Sequence, residues 1–232
     1  MINLQTSKIR NIIFDLGGVL LNINPLLSLE ELVKLSGISK TELRDRLASE
    51  KIFEKYDTGE YDSERFRDEL RRIMDKNATD QQIDDAWNAL LLDFPAERVQ
   101  LLQSLQPNYR IFLLSNTNEI HFKKYTSDFL ISNGFDMETL FEQLFLSYEI
   151  GIHKPDAGIY TYVLEQVKLV AAETLFIDDS HSNVEAAVKL SFAGLHLTGN
   201  HEITDYFGNG FLIPEQSLPQ IQGNSNTPYL FR

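Results

Sequence analysis

Four stretches of the chain carry residues able to do chemistry, and each follows a short apolar run. Asp15-Leu16-Gly17-Gly18 follows Ile12-Ile13-Phe14, and Ser115-Asn116-Thr117-Asn118 follows Ile111-Phe112-Leu113-Leu114. Lys154-Pro155 comes past Ser147-Tyr148-Glu149-Ile150-Gly151, and Asp178-Asp179 ends a run from Thr174, with Asn183 four residues beyond Asp179. Taken singly, each has an ordinary reading. Asp15 could cap a turn, Asp178-Asp179 could cap a helix, Ser115 opens a normal turn composition, and Lys154 could be a solvated surface lysine. Taken together they supply three carboxylates, a hydroxyl, an amide and an ammonium. Carboxylates that converge repel one another, so a site holding them is expected to hold a cation or a proton. Oxygen-only donors in a chain with no Cys point to Mg²⁺. Lys and Ser beside such a cation would cradle a phosphate.

The elements that must bring these stretches together are legible in the pattern. Ile9–Phe14, Arg110–Leu114, Leu144–Ser147, Thr174–Asp178 and Gly194–Thr198 are short, mostly apolar runs separated by helical patterns. That alternation predicts a parallel sheet covered on both faces. In such a sheet ligands bind at the C-terminal strand ends, where the four stretches fall. Helices are predicted over Glu97–Leu105, Ala157–Val167 and Asn183–Leu190, the last with Ser182 as N-cap and Glu185 at capping-box spacing. Residues 23–96 differ in composition. They hold 28 of the 55 charged residues in 74 positions. Leu43, Leu47, Phe53, Phe66, Leu70 and Ile73 recur there at helical spacing. Ser36-Gly37 and Asp57-Thr58-Gly59 break that segment into pieces. The fold class expected is a doubly wound α/β core over 1–22 and 97–232, with a small helical insert over 23–96 after the first strand. The tail after His201 contains Gly208, Gly210, Pro214 and Pro219 and reads as irregular.

Composition narrows the partners. The 232 residues carry a net charge of −13 and no Cys. A sequence-independent grip on nucleic acid or an anionic membrane needs a basic face, so neither is expected, although one small positive pocket is compatible with the total. Disulfides, Cys-ligated zinc, iron–sulfur clusters and thiol catalysis are excluded. No apolar run approaches the about 18 residues of a membrane span. The opening MINLQTSKIRNIIFDLGG lacks the order of a secretory signal, so the cytoplasm is the expected compartment. A monomer is the default expectation. Gly17-Gly18 is not a dinucleotide fingerprint, because no third Gly opens the following helix.

In order and spacing these residues resemble the haloacid dehalogenase superfamily. Phe14 to Leu20 resembles its first motif, Leu114-Ser115-Asn116 the second, Lys154-Pro155 the third, and Phe176-Ile177-Asp178-Asp179 with Asn183 the fourth. The helical insert lies where that superfamily places its cap. Leu114 to Asn118, Gly151 to Pro155 and Phe176 to Asn183 resemble more closely the subgroup of small sugar phosphatases typified by α-glucose-1-phosphatase. The resemblance implies a Rossmann-like core and a Mg²⁺-dependent phosphomonoesterase acting on a small phosphorylated metabolite. It implies Asp15 as the nucleophile that becomes an aspartyl phosphate. It also implies Mg²⁺ held by Asp15, the Gly17 carbonyl and Asp179. Ser115, the Asn116 backbone N–H and Lys154 would bind phosphoryl oxygens, Asp178 would orient Lys154, and Asn183 would complete the metal's surroundings or touch phosphate.

One departure has chemical consequences. Most phosphatases of this superfamily carry a second Asp two residues after the nucleophile, as acid and then base. Here that residue is Gly17. General acid–base catalysis is typically worth about 10²–10⁴-fold, so another group substitutes, or turnover is slow, or the leaving group needs little protonation. The subgroup shares this Gly. An anomeric hydroxyl leaves more readily than an ordinary one, so hexose 1-phosphates are the expected substrates. His153 and His181 are candidate replacement groups, with surface or turn roles as the simpler reading. Trp87 and Phe53 fit packing within the insert, and Tyr56 and Gly59 lie where the insert could fold toward the site. Three other readings remain open. A receiver-like signalling module places its acid pair first and has no room for the insert. A weakened binding protein is suggested by Gly17. A dehalogenase would use the same nucleophile without needing Asp179 for a metal.

Overall fold

The protein is described by a computed structural model over residues 8–199 and 201–213. Five parallel strands form the central sheet: β1 (Asn11–Phe14), β2 (Arg110–Ser115), β3 (Gln143–Leu146), β4 (Thr174–Asp178) and β5 (Ala193–His196). Their spatial order is β3-β2-β1-β4-β5, so the chain winds one way from β1 to β3 and then returns to the other side. This is the expected doubly wound α/β core. Neighbouring residues of β1 face opposite ways. Ile12 and Phe14 join one apolar cluster with Leu113, Leu175 and Ile177, while Ile13 joins the other with Phe112, Leu114 and Phe176. A sheet buried on both faces explains why its strands read as continuous apolar runs.

Residues 25–88 contribute five helices: α1 (Pro25–Ser36), α2 (Lys40–Glu50), α3 (Ile52–Asp57), α4 (Ser63–Met74) and α5 (Asp80–Asn88). Local signals set their ends. Asn24 caps α1 ahead of Pro25, and Gly37 takes the left-handed conformation that ends it, φ 73°. Thr79 and Gln82 form a capping box on α5. Leu43, Leu47, Phe66, Leu70 and Ile73 are buried in an apolar cluster belonging to these helices, with Phe53 packed against it. Phe53 stacks on Trp87 at 4.6 Å between ring centroids. The two chain crossings between the helical unit and the sheet are joined as an antiparallel ribbon. Asn22 N–H donates to Asp93 O, Leu92 N–H to Asn22 O, and Asn24 N–H to Leu90 O, at 2.9–3.0 Å.

The return to the sheet runs through α6 (Ala96–Leu105), β2, α7 (Glu119–Asn133), β3, the single turn α8 (Ser147–Ile150), α9 (Ala157–Val167), β4, α10 (His181–Lys189) and β5. Two expectations change. The helix after β4 starts at His181 with Ser180 as its N-cap residue, and Ser182 lies inside it. The reason is Asp178, whose Oδ1 accepts the Ser180 N–H at 2.8 Å and so organises the helix start in place of a Ser182–Glu185 box. The segment after His201 is not wholly irregular, because β6 (Phe207–Gly208) and β7 (Phe211–Leu212) form a short antiparallel pair. Pro214 and Pro219 lie outside the described residues.

Candidate active site

Asp15, Ser115 and Asp178-Asp179 lie at or just past the C-terminal ends of β1, β2 and β4, and Lys154 reaches the same place from the segment between α8 and α9. Carboxylate oxygens of Asp15, Asp178 and Asp179 lie within 4.8 Å of one another. Lys154 is 2 % exposed. Its ammonium donates to Asp15 Oδ1 and Asp178 Oδ2, each at 2.7 Å, and to the Leu114 carbonyl at 2.8 Å. All three N–H bonds are used, and the charge sits between two carboxylates. The lysine keeps its proton. Burial pulls its pKa down, but the Asp15 and Asp178 carboxylates outweigh that and hold it above the usual value.

The acids behave differently. Burial raises Asp15 well above the usual carboxylate range, Lys154 opposes that, and the charges of Asp178 and Asp179 add to it. Burial, then Asp178, raises Asp179 to about 6, with Lys154 opposing. Two buried carboxylates and a third, partly buried one against one ammonium leave surplus negative charge, which a divalent cation would neutralise. The donor set contains oxygen only and fits Mg²⁺. Asp178 is the least available of the three. Its two oxygens also accept from Ser180 N–H and from Asn183 Nδ2, the latter at 3.0 and 3.1 Å. Asp178 therefore touches Lys154 as expected. The Asn183 Nδ2 donates to both oxygens of that acid, so Asn183 and Lys154 meet at Asp178.

Two glycines shape the nucleophile loop. Gly18 has φ +75°, and a Cβ there would collide with the Asp179 carboxylate, so only glycine admits that acid. A Cβ at Gly17 would meet Ile23 Cδ1 at 2.9 Å. The apolar end of the Ile23 side chain thus packs against Gly17 and would have to shift for any side chain there.

The loop after β2 has a structure that composition alone does not convey. Ser115 is buried at its start. Asn116, expected to act through its backbone N–H, also uses its side chain: Nδ2 donates to Lys154 O at 2.9 Å and Oδ1 accepts Lys154 N–H at 2.8 Å. Ser147, which the sequence placed at the end of an apolar run without a role, accepts Thr117 N–H and donates to Thr117 O through one hydroxyl, at 3.0 and 3.1 Å. His153 bonds through Nδ1 to the Lys154 carbonyl at 2.7 Å. His181 lies edge-on to His196, 5.4 Å between ring centroids. His196 Nε2 bonds to the Asp179 carbonyl at 3.1 Å. Phe53 and Trp87 pack inside the helical unit, as expected. Gly59 meets α8, since a Cβ there would strike the Tyr148 carbonyl. The Tyr56 hydroxyl accepts the Ile120 N–H at 3.1 Å at the start of α7. Among the described residues no helix is long and apolar enough to cross a membrane.

Comparison with known proteins agrees with this geometry. Residues 9–190 match the family described as haloacid dehalogenase-like hydrolase. A D-ribitol-5-phosphate phosphatase of Bacteroides thetaiotaomicron is 28% identical over 185 residues, covering 79% of this chain and 89% of that protein. A haloacid dehalogenase family enzyme of the same organism, crystallised with magnesium and inorganic phosphate, is 33% identical with a TM-score of 0.77, covering 86% of this chain and 100% of that one. A predicted hydrolase of the family from Porphyromonas gingivalis is 32% identical with a TM-score of 0.77, covering 84% of this chain and 93% of that one. The shared sheet, the clustered acids that fit Mg²⁺ and a match over most of its length place the chain in the haloacid dehalogenase-like hydrolases, as a phosphatase.

Proposed function

We propose that the protein hydrolyses the phosphate monoester of a small sugar or polyol, with Asp15 as nucleophile and residues 23–96 as a cap over the site. The observation that carries this reading is the buried Lys154 ammonium held between Asp15 and Asp178 beside a third carboxylate. Asp15, the Gly17 carbonyl and Asp179 would hold Mg²⁺, which when bound supplies positive charge to an otherwise anionic pair of reactants. An Asp15 oxygen attacks phosphorus, the ester P–O bond breaks, and the leaving oxygen departs with the bonding pair. Lys154, the Ser115 hydroxyl and the Asn116 N–H stabilise the phosphoryl oxygens as charge shifts. Water then attacks the aspartyl phosphate and frees Asp15 and inorganic phosphate. Asp178, gripped by Asn183 and Ser180, keeps Lys154 aimed.

The leaving group is where two substrate classes separate. Ile23 beside Gly17 leaves an apolar surface where an acid would deliver a proton. That favours an acidic leaving group such as an anomeric hydroxyl, hence a hexose 1-phosphate. The ribitol phosphatase relative favours a primary alkyl phosphate instead. The test is Mg²⁺-dependent phosphate release from hexose 1-phosphates, hexose 6-phosphates and pentitol 5-phosphates, run with wild type and Asp15→Asn. Turnover that survives Asp15→Asn would sink this mechanism. No release from any ester in the presence of Mg²⁺ would favour a binding protein of the same fold.

A further inference from the structure

Asn118 ends the Ser115–Asn118 loop, is 1 % exposed, and uses its whole side chain. Its Oδ1 accepts the His121 N–H at 3.1 Å as the cap of α7, and also the Trp87 Nε1–H at 3.3 Å from α5. Its Nδ2 donates to Asp57 Oδ1 at 2.9 Å, at the end of α3, and approaches His121 Nδ1 at 3.2 Å. The His121 ring lies against Trp87, 4.7 Å between centroids, and its Nε2 bonds to the Trp87 carbonyl at 3.2 Å. A neutral imidazole protonated on Nε2 satisfies both ring contacts. One amide three residues from Ser115 therefore holds two separate helices of the insert. The same loop grips Lys154 through Asn116 and α8 through Thr117.

We propose that Asn118 is a positioning residue that fixes the pose of the helical insert relative to the phosphoryl-binding loop, with Asp57 as its partner. The proposal rests on reading residues 23–96 as a cap over that loop. An amide-to-carboxylate bond inside protein is directional and holds one relative position of two elements. Burial pushes the Asp57 carboxyl up to about 6, with the Asn118 amide and the His153 charge opposing. The amide is therefore the group that keeps Asp57 ionised near neutrality. A shift of α3 or α5 breaks a bond to the residue that also starts α7, so movement of the insert is felt at the loop.

The test is a swap. Asn118→Asp sets two carboxylates face to face, and Asp57→Asn sets two amides face to face. The double variant Asn118→Asp/Asp57→Asn restores one donor and one acceptor in reverse. Trp87 is the sole tryptophan of the chain and sits in this joint, so acrylamide quenching of its fluorescence reads the joint without any turnover. The second readout is KM and kcat for p-nitrophenyl phosphate with Mg²⁺. A charge-assisted hydrogen bond is worth about tenfold or more. Each single variant should therefore raise the quenching constant and raise KM by about tenfold, and the double variant should recover most of both. Wild-type quenching in both single variants overturns the proposal, and so does a double variant no better than the worse single one. If wild type fails to turn over p-nitrophenyl phosphate, the activity reading is what fails, and the quenching series still decides this one. Should Asn118→Asp fail to fold, Asp57→Asn alone carries the same expectations.

Discussion

Replacing Lys154 by Met tests the electrostatic logic of the site most directly. Methionine keeps the approximate length and deletes the charge. It strips Asp15 Oδ1, Asp178 Oδ2 and the Leu114 carbonyl of the donor that each has at 2.7–2.8 Å. Breaking a buried ion pair by removing one partner costs about 3–5 kcal/mol, because the remaining charge stays buried. In a chain of this size each kcal/mol shifts Tm by about 2–4 °C, so a loss of roughly 6–20 °C is expected in metal-free buffer at pH 8. The orphaned acids escape by binding protons, and burial already raises Asp15. Proton uptake by the folded state stabilises it as pH falls, so the deficit relative to wild type should shrink at pH 5.5. Mg²⁺ should shrink it too, by supplying positive charge to the folded state alone. The assay is calorimetric unfolding of both proteins at the two pH values, with chelator and with Mg²⁺. A deficit under about 1 kcal/mol at pH 8, or one that grows on acidification, would refute the reasoning.

Three further outcomes are expected. Mg²⁺ should raise the Tm of wild type by mass action, and Asp179→Ala should abolish most of that rise; an equal rise in both proteins would put the metal elsewhere. Burial lowers His121 to about 4 and raises Asp57 to about 6. Acidification from pH 6.5 to 4 therefore destabilises through His121, which the unfolded chain protonates first, and stabilises through Asp57, which the fold protonates first. The two contributions are each roughly 2–3 kcal/mol and opposite in sign, so Asp57→Asn should lose about 2 kcal/mol more than wild type over that range in urea unfolding. Single-turnover cleavage of aryl phosphates should depend steeply on leaving-group acidity. Gly17→Asp, with the Ile23 side-chain end moving aside, should flatten that dependence; a shallow dependence in wild type would mean another group already delivers the proton.

The strand-end chemistry was legible in the chain because a sheet covered on both faces leaves a plain record. Ile12–Phe14 and Leu175–Ile177 are continuous apolar runs, and the first polar residues past them, Asp15 and Asp178-Asp179, must emerge at the same sheet edge. The helices between residues 25 and 88 were legible for a related reason: segments that pack into an apolar cluster show amphipathic spacing and a denser charge on the outside. Local capping was read less well. Ser182–Glu185 has the right spacing, yet Asp178, which precedes the helix, organises its start.

What only the tertiary structure decided is which polar group answers which. Nothing in the spacing from Asn116 to Lys154 tells that an amide side chain will bridge a backbone, or that the Asn183 amide will be committed to Asp178. The same holds for the bonds from Asn118 to Asp57 and Trp87, and for the packing of Ile23 beside Gly17. The physical reason is one of range. Apolar periodicity is a repeated local signal, because every turn or strand pair must bury its face. A hydrogen bond between residues far apart in the chain depends on tenths of an ångström set by how whole elements pack, and no neighbouring residue repeats it.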